Sequence, residues 1–462
     1  MEYINETFRS LHVGLPEDIQ RHKLHGNFAE AIRLIDLRLK KPDLPQGLRN
    51  CLIVQRELIS RVHLDYPFTR AQALERVRAH IPDFTEAEFD QRVDAGKIGW
   101  IYRNGEVFYF LRFYETLCKT EPEFARRAGV SLQSNESAAD GSETIHRLDN
   151  CIRKIKERGQ VSHHIRIRSS VRLKDEPFTP GMFLRVHLPV PSACEQQSDI
   201  CIEEISPPGA FVAPEDAPQR TVCWEGHFAE NTEFSVTYSY THTAKYHDLT
   251  ALCPADPDTE EYLREEPPHI LFTPYLKELA ATLTEGVSEP LEKARRIYDF
   301  ITRNMSYTFM PAYFSLENIA ESCARNFTGD CGVFALLFIT LCRCAGVPAV
   351  WQSGMAAEPD FCGGHDWARF YAEPHGWLYA DPSYGVSAQR AGNEERRQFY
   401  FGNLDPYRLV FNRAFQAPLM PDKNHWRADP YDNQVGEMET TDRGFRYDEF
   451  TRYRDILLYE EG

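Results

Sequence analysis

Cys331, His365 and Asp381 are the residues whose types and order could do covalent chemistry. Cys331 stands in Thr328-Gly329-Asp330-Cys331-Gly332, directly before the apolar run VFALLFITLCRC. That order predicts a cysteine at the N-terminus of a buried helix, where unpaired backbone N–H groups and the helix dipole stabilise a thiolate. His365 starts the strand-like run WARFYA, from which an imidazole could form an ion pair with that thiolate and later protonate a leaving group. Asp381 closes the next strand-like run, WLYAD, and could hold the far imidazole nitrogen. If the turn EPHG pairs Trp367 with Asp381, His365 lies diagonally across from Asp381 on one face. A slip of one residue would part them. The expectation is a single pocket with the sulfur aimed at the imidazole.

Each of the three has rivals. Cys342 and Cys344 fall late in the same helix, away from the positive end of its dipole, and read as core thiols. Cys362 is close to His365 but reads as a loop cysteine. His375 lies in the turn and reads as solvated. Asp366 competes with Asp381, yet neighbours on a strand face opposite ways, so Asp366 reads as structural. The backbone N–H of Cys331 is the first expected oxyanion donor. Trp367 and Trp377 read as core or cleft-wall residues.

The elements that must position this set are legible around it. LEKARRIYDFITRN (291–304) has the spacing of an amphipathic helix. The helix after Cys331 is apolar nearly all round, so it should be buried. Gly346 ends it and Pro348 prevents continuation. AVWQSG follows as a strand, then a glycine-rich loop, FCGG, ahead of His365.

TGDCGVFALLFITLCRCAGVPA followed by HDWARFYAEPHGWLYADPSYG resembles the transglutaminase-like core of the papain-like cysteine enzymes. Members carry G-x-C opening a helix, an arginine and G-[IV]-P ending it, then H-x-W, then W-x-x-x-D-P. The resemblance spans roughly residues 270–410. It implies an α+β fold in which a central helix packs on an antiparallel sheet. It also implies Cys331 as nucleophile, His365 as base and acid, and Asp381 as orienting carboxylate. A second oxyanion donor upstream of the nucleophile is implied as well; Tyr307 is the candidate, with Asn326 and Gln352 as rivals. The implied activity is acyl transfer at amide or peptide bonds through a thioester. Water as acceptor makes a peptidase or amidase; an amine makes a cross-linking transglutaminase. Hydrolysis is preferred because nothing marks an amine site. No cofactor is implied, and no metal site, since no calcium loop stands in the chain.

The rest of the chain frames that core. At 462 residues, about three domains are expected. Helical spacing in Asn27–Lys41, with Thr69 and the Thr85/Glu88 pair as caps, predicts a helical N-terminal domain over 1–145. Within it, WIYRNGEVFYF forms a hairpin about Asn104-Gly105. Helices before a hairpin suggest a winged-helix shape, but the region has no basic helix and the chain carries a net charge of -17. A packing module is therefore preferred to a DNA binder. Ser131–Thr144 reads as a linker, with the helix IHRLDNCIRKIKERG after it. HHIRIRSSVRL, FLRVHLPVP and TEFSVTYSYTHTAKY predict an antiparallel, sandwich-like β domain over 146–255. It resembles the β domain that often precedes such cores in prokaryotic members. The core takes 256–420, with FYFGNLDPYRLVFNRAF as its last part, and 421–462 is a C-terminal extension.

The partner expected is a peptide or protein substrate; nucleic acid and membrane are not, and oligomeric state is left open. The start has no signal-like apolar stretch, and the 12 cysteines contain no CxxC pair. The expectation is thus a cytoplasmic protein with free thiols.

Overall fold

A computed structural model describes residues 4–130, 143–250 and 258–462. The linker expected at Ser131–Thr144 lies outside the described residues except for its last two, which open the helix Glu143–Arg158.

The N-terminal region is a cluster of short helices around the longer helix Gln46–Asp65. The expected capping box forms at Thr85 with Glu88, and the expected cap Thr69 forms one as well, with Gln72. Strands β1 (Trp100–Arg103) and β2 (Glu106–Tyr109) close the hairpin with Arg103 opposite Glu106. The cluster docks on the rest of the chain through specific bonds. Phe309 N–H donates to Thr116 Oγ1 at 3.3 Å, Ala312 N–H to Asp65 Oδ1 at 3.1 Å, and Arg61 Nη1 to the Arg427 carbonyl at 3.0 Å. The Arg112 guanidinium also lies 3.5 Å from the Phe309 ring centre.

Six strands follow: β3 (Gln160–Leu173), β4 (Met182–Pro189), β5 (Gln197–Ser206), β6 (Phe211–Val212), β7 (Thr221–Phe228) and β8 (Glu233–Lys245). They form two antiparallel sheets whose inward residues make one core. Ile165, Ile167 and Val171 of β3 and Val236 and Tyr238 of β8 meet Leu184 and Val186 of β4 and Val222 of β7. The alternation seen in the sequence is that of β3, whereas β8 is buried on both faces from Phe234 to Tyr240.

The core begins with the helices Pro274–Leu283 and Pro290–Asn304. Then come the short parallel pair β9 (Ser306–Tyr307) and β10 (Thr328–Gly329), the helix Cys331–Cys344, and a five-stranded sheet. That sheet contains β11 (Ala349–Glu358), β12 (Phe361–Ala372), β13 (Gly376–Ala380), β14 (Phe401–Gly402) and β15 (Arg408–Asn412). They lie in the order β14-β13-β12-β11-β15, every neighbour antiparallel. The helix Cys331–Cys344 is buried from Gly332 to Arg343, as its all-round apolar sequence requires. Its Phe338 packs edge-to-face on Phe370 of β12, ring centres 5.6 Å apart. Each such buried aromatic or aliphatic side chain contributes about 1.5–3 kcal/mol, so this helix is a rigid mount for the residue at its N-terminus.

Two expectations need correction. Phe361 to Gly364 is not a loop; it is the first part of β12, paired with β11 from Glu358 opposite Phe361 onward. Two adjacent glycines read as loop in isolation, but Gly364 serves a close approach. A side chain there would collide with Gln434, which docks on the strand. Nor does 421–462 stand apart as an extension. Its strand β16 (Glu437–Glu439) pairs with β4. Its strand β17 (Phe450–Glu461) pairs with β3 from Phe450 opposite Leu173 to Glu461 opposite His163. The chain end thus covers an edge of each sandwich sheet, edges that a boundary drawn at residue 255 leaves bare.

Among the described residues, no helix is long and apolar enough to cross a membrane.

Candidate active site

Asp330 ends the short β10 connection in an extended conformation and caps the next helix, its side chain accepting from Val333 N–H at 3.2 Å. Cys331 is therefore the first residue of the helix and is half-buried. The Tyr313 hydroxyl donates to the same oxygen, Asp330 Oδ1. Gly332 leaves the space these groups need; a side chain there would meet the Tyr313 hydroxyl and the Asp366 carboxylate.

The β12–β13 register sets Ala368 opposite Ala380, so the next pair outward is Trp367 and Asp381. His365 and Asp381 are diagonal neighbours on one face, and His365 Nε2 lies 2.7 Å from Asp381 Oδ2. The imidazole is stacked on Tyr384, ring centres 4.8 Å apart, and is 5% exposed. Asp381 is fully buried. It accepts from Tyr384 N–H at 2.9 Å and from Arg408 Nη1 at 2.7 Å, and Arg408 also binds Asp405. Burial alone would push the Asp381 carboxyl up; the His365 and Arg408 charges outweigh it and hold the group well below the usual carboxylate range. An ionised Asp381 accepts Nε2–H, which leaves Nδ1 as the basic nitrogen of a neutral ring.

The sulfur does not meet that ring as a hydrogen-bond partner. Cys331 Sγ donates instead to Asp366 Oδ2, 3.2 Å away. The alternation that sets Asp366 opposite to His365 holds; what the sequence hides is which face looks at the helix. Phe370, which packs on Phe338, is even-numbered like Asp366, so the Asp366 side faces the helix Cys331–Cys344. Asp366 is thus not merely structural; it is the sulfur's immediate neighbour. Burial, and then the Asp366 and Asp330 carboxylates, push the Cys331 thiol well above its ordinary value, against the expectation of a thiolate stabilised by the helix end.

Tyr307 lies on β9, beside the strand that leads into Cys331. It pairs with Gly329 across β9 and β10, its ring meets Phe334 edge-on at 6.5 Å, and the Lys119 ammonium sits 3.9 Å over it. Tyr307 and Thr328 line a cavity of about 430 Å³ between the core and the N-terminal residues Lys97, Thr116 and Glu121. Of its rivals, Asn326 binds Ser322 at the exposed end of its helix. Gln352 is buried beneath His365's neighbour, accepting from Trp367 Nε1 at 2.9 Å and from Gln196 at 2.7 Å. Cys342 is core, and Cys362 lies in β12 with its sulfur 3.7 Å from Met355 Sδ. His375 is in the β12–β13 turn and Trp367 is fully buried.

Sequence reasoning missed Arg408, Asp405, Asp432 and Gln434. Arg408 had a weak signal, a charged residue in the otherwise strand-like run RLVFN. Asp432 and Gln434 had none, because nothing local places residues 430–436 against β12.

Residues 277–382, under a quarter of the chain, match the Transglutaminase-like superfamily. The segment that matches therefore contains the Cys331, His365 and Asp381 positions and has the helix-and-antiparallel-sheet fold expected of it. No curated protein matches the chain. Among solved structures, a candidate cysteine protease from Cytophaga hutchinsonii is similar at 16% identity, covering 66% of this chain and 90% of its own, with a TM-score of 0.39. The periplasmic domain of TgpA from Pseudomonas aeruginosa is similar at 14% identity, covering 54% and 95%, with a TM-score of 0.29. A candidate protease from Parabacteroides distasonis is similar at 16% identity, covering 46% and 42%, with a TM-score of 0.22.

Proposed function

We propose that this chain, whose residues 277–382 carry a transglutaminase-like core, is a cysteine-dependent hydrolase of amide or peptide bonds. The observation that carries the reading is the His365–Asp381 pair, buried, clamped by Arg408 and keeping Nδ1 basic. It sits one residue along β12 from the neighbour of a cysteine that opens a buried helix. In the proposed cycle the Cys331 proton passes to His365 Nδ1. The thiolate sulfur bonds the carbonyl carbon and the oxygen becomes an oxyanion held by the Cys331 N–H and, in the same proposal, by Tyr307. As the C–N bond breaks, the imidazolium returns its proton to the departing amine and a thioester remains. Water, deprotonated by the imidazole, then releases the acid and restores the thiol. Asp381 keeps the ring oriented and stabilises its charged form. The substrate is a peptide or protein. A cytoplasmic location is part of the proposal, supported by free, mostly buried thiols and the lack of a disulfide among the described residues.

A second reading, a catalytically silent scaffold, draws on the Cys331–Asp366 bond, since a sulfur committed there is not engaged with His365. An amide-bearing fluorogenic peptide library, assayed with wild type, Cys331→Ala and His365→Ala, decides between them. Hydrolysis abolished by both substitutions supports the enzyme. No turnover by wild type, with slow and uniform alkylation of its cysteines, supports the scaffold. Repeating the assay with an added primary amine, and finding amine-linked product in place of acid, would overturn hydrolysis in favour of transamidation.

A further inference from the structure

The proposed cycle draws on Tyr307 and leaves the rest of its cavity unused. That cavity measures about 430 Å³, and two of its walls continue the elements that carry the catalytic candidates. Thr328 lines it, three residues before Cys331, and three residues of chain span at most about 11 Å. Val386 lines it as well, on the helix Pro382–Arg390 that Asp381 caps and whose Tyr384 stacks on His365. Val386 is about 3 Å further along that helix axis than Tyr384. An extended peptide rises about 3.3 Å per residue. With one carbonyl at Cys331, its residues two to four positions away are therefore long enough to reach the cavity.

The charge on this cavity runs against that of the chain. The whole chain carries -17, yet among the described residues the charged side chains lining the cavity are Lys97, Arg303 and Arg390 against a single carboxylate, Glu121. Glu121 is matched twice over, by Arg92 at 2.8 Å and by Lys97 at 2.7 Å. Arg303 lies 3.7 Å from Asp299, whose other oxygen is 2.5 Å from the buried Arg397, and the Arg303 side chain is 54% exposed. Lys119 adds its ammonium over the Tyr307 ring. Cations gathered in a concave site focus their field on whatever enters it and draw in negative charge.

We propose that this cavity is the specificity subsite for the substrate, and that it takes a peptide segment bearing an acidic side chain two to four residues from the cleaved bond. Arg303 and Arg390 are the residues that hold the carboxylate. The inference rests on the reading of Cys331 as the nucleophile of a peptide hydrolase, and it adds to that reading the substrate's charge. It also gives the N-terminal helices a part in the site beyond packing, since Lys97, Thr116 and Glu121 close the cavity from their side.

The test uses internally quenched peptides carrying Glu, Gln or Lys on either side of the cleaved bond, the bond being located by mass spectrometry. Wild type, Arg303→Gln, Arg390→Gln and the double variant are compared, each checked for folding by its melting curve. In wild type, kcat/KM should fall in the order Glu, Gln, Lys. Each arginine should account for up to about fivefold of the preference for Glu over Gln, the most that a partly exposed ion pair supplies. The preference should shrink at high salt and disappear in the double variant. Arg303→Glu combined with Arg390→Glu should reverse the order in favour of Lys, which a loss of structure alone would not do. Equal rates on all three peptides in wild type, or a preference for Glu that survives in the folded double variant, overturn the proposal. If the double variant does not fold, the single variants carry the same criterion. The hydrolase reading fails separately. If wild type cleaves no peptide, fluorescence anisotropy of labelled Glu and Lys peptides on the Cys331→Ala chain reads the cavity alone. Tighter binding of the Glu peptide, lost when Arg303→Gln and Arg390→Gln are added, upholds the subsite, and equal binding ends it. Cleavage without any charge preference sinks only the subsite.

Discussion

Replacing Arg408 by Met removes the one guanidinium that serves both Asp381 and Asp405. All three side chains are essentially buried, at 2.7 Å and 2.6 Å from their partners. Removing one partner of a buried ion pair costs about 3–5 kcal/mol because the other charge is left uncompensated. Here two carboxylates lose their cation, and His365 still covers one of them, so the upper end, about 5 kcal/mol, is expected. For a cooperative unit of 150–250 residues each kcal/mol is worth roughly 2–4 °C, so the melting temperature should fall by on the order of 10–20 °C at pH 7.5. The loss should shrink as pH falls. Without Arg408, burial raises Asp405, and a raised folded-state pKa contributes stability at low pH that is lost as pH rises through it. Calorimetry of Arg408→Met, Asp405→Asn and the double variant at pH 5.5 and 7.5 measures both effects. The double variant should be less destabilised than Arg408→Met alone, since one of the stranded charges is gone. A single variant melting within 2 °C of wild type at both pH values would refute the argument that this arginine holds the Asp381 carboxylate.

Asp330→Ala removes the N-cap of the helix Cys331–Cys344 and should cost about 1 kcal/mol by urea unfolding. His269 is fully buried with Nδ1 accepting from Ile319 N–H at 3.1 Å, and burial depresses its pKa to about 3. A lowered base contributes stability that is present above pH 6.5 and lost as pH falls through 3. Between those limits wild type should lose up to about 1.4 kcal/mol per pH unit more than His269→Gln, measured by urea unfolding from pH 6.5 to 4.5. Truncation after Glu449 removes β17 and bares the β3 edge along its length. The shortened chain should aggregate or elute as oligomers in size-exclusion chromatography, whereas a monomeric, equally stable product would contradict the role assigned to that strand.

Much of this architecture is written in local pattern. The Thr69 cap, the capping box at Thr85, the hairpin at Asn104-Gly105 and the all-round apolar helix after Cys331 depend on neighbours within a few residues, so propensity and periodicity were enough to place them. The His365–Asp381 pairing was legible too, because a short turn transmits register and the side-chain period of a strand is two. Tertiary packing alone decided the rest. Which face of β12 meets the Cys331 helix depends on how the whole sheet lies against it, and that choice gave the sulfur to Asp366 rather than to His365. Likewise, no local signal tells residues 421–462 to return across the chain, bring Asp432 and Gln434 to β12 and lay β17 on β3. Those contacts join positions far apart in sequence, and only closing the two sheets brings them within reach.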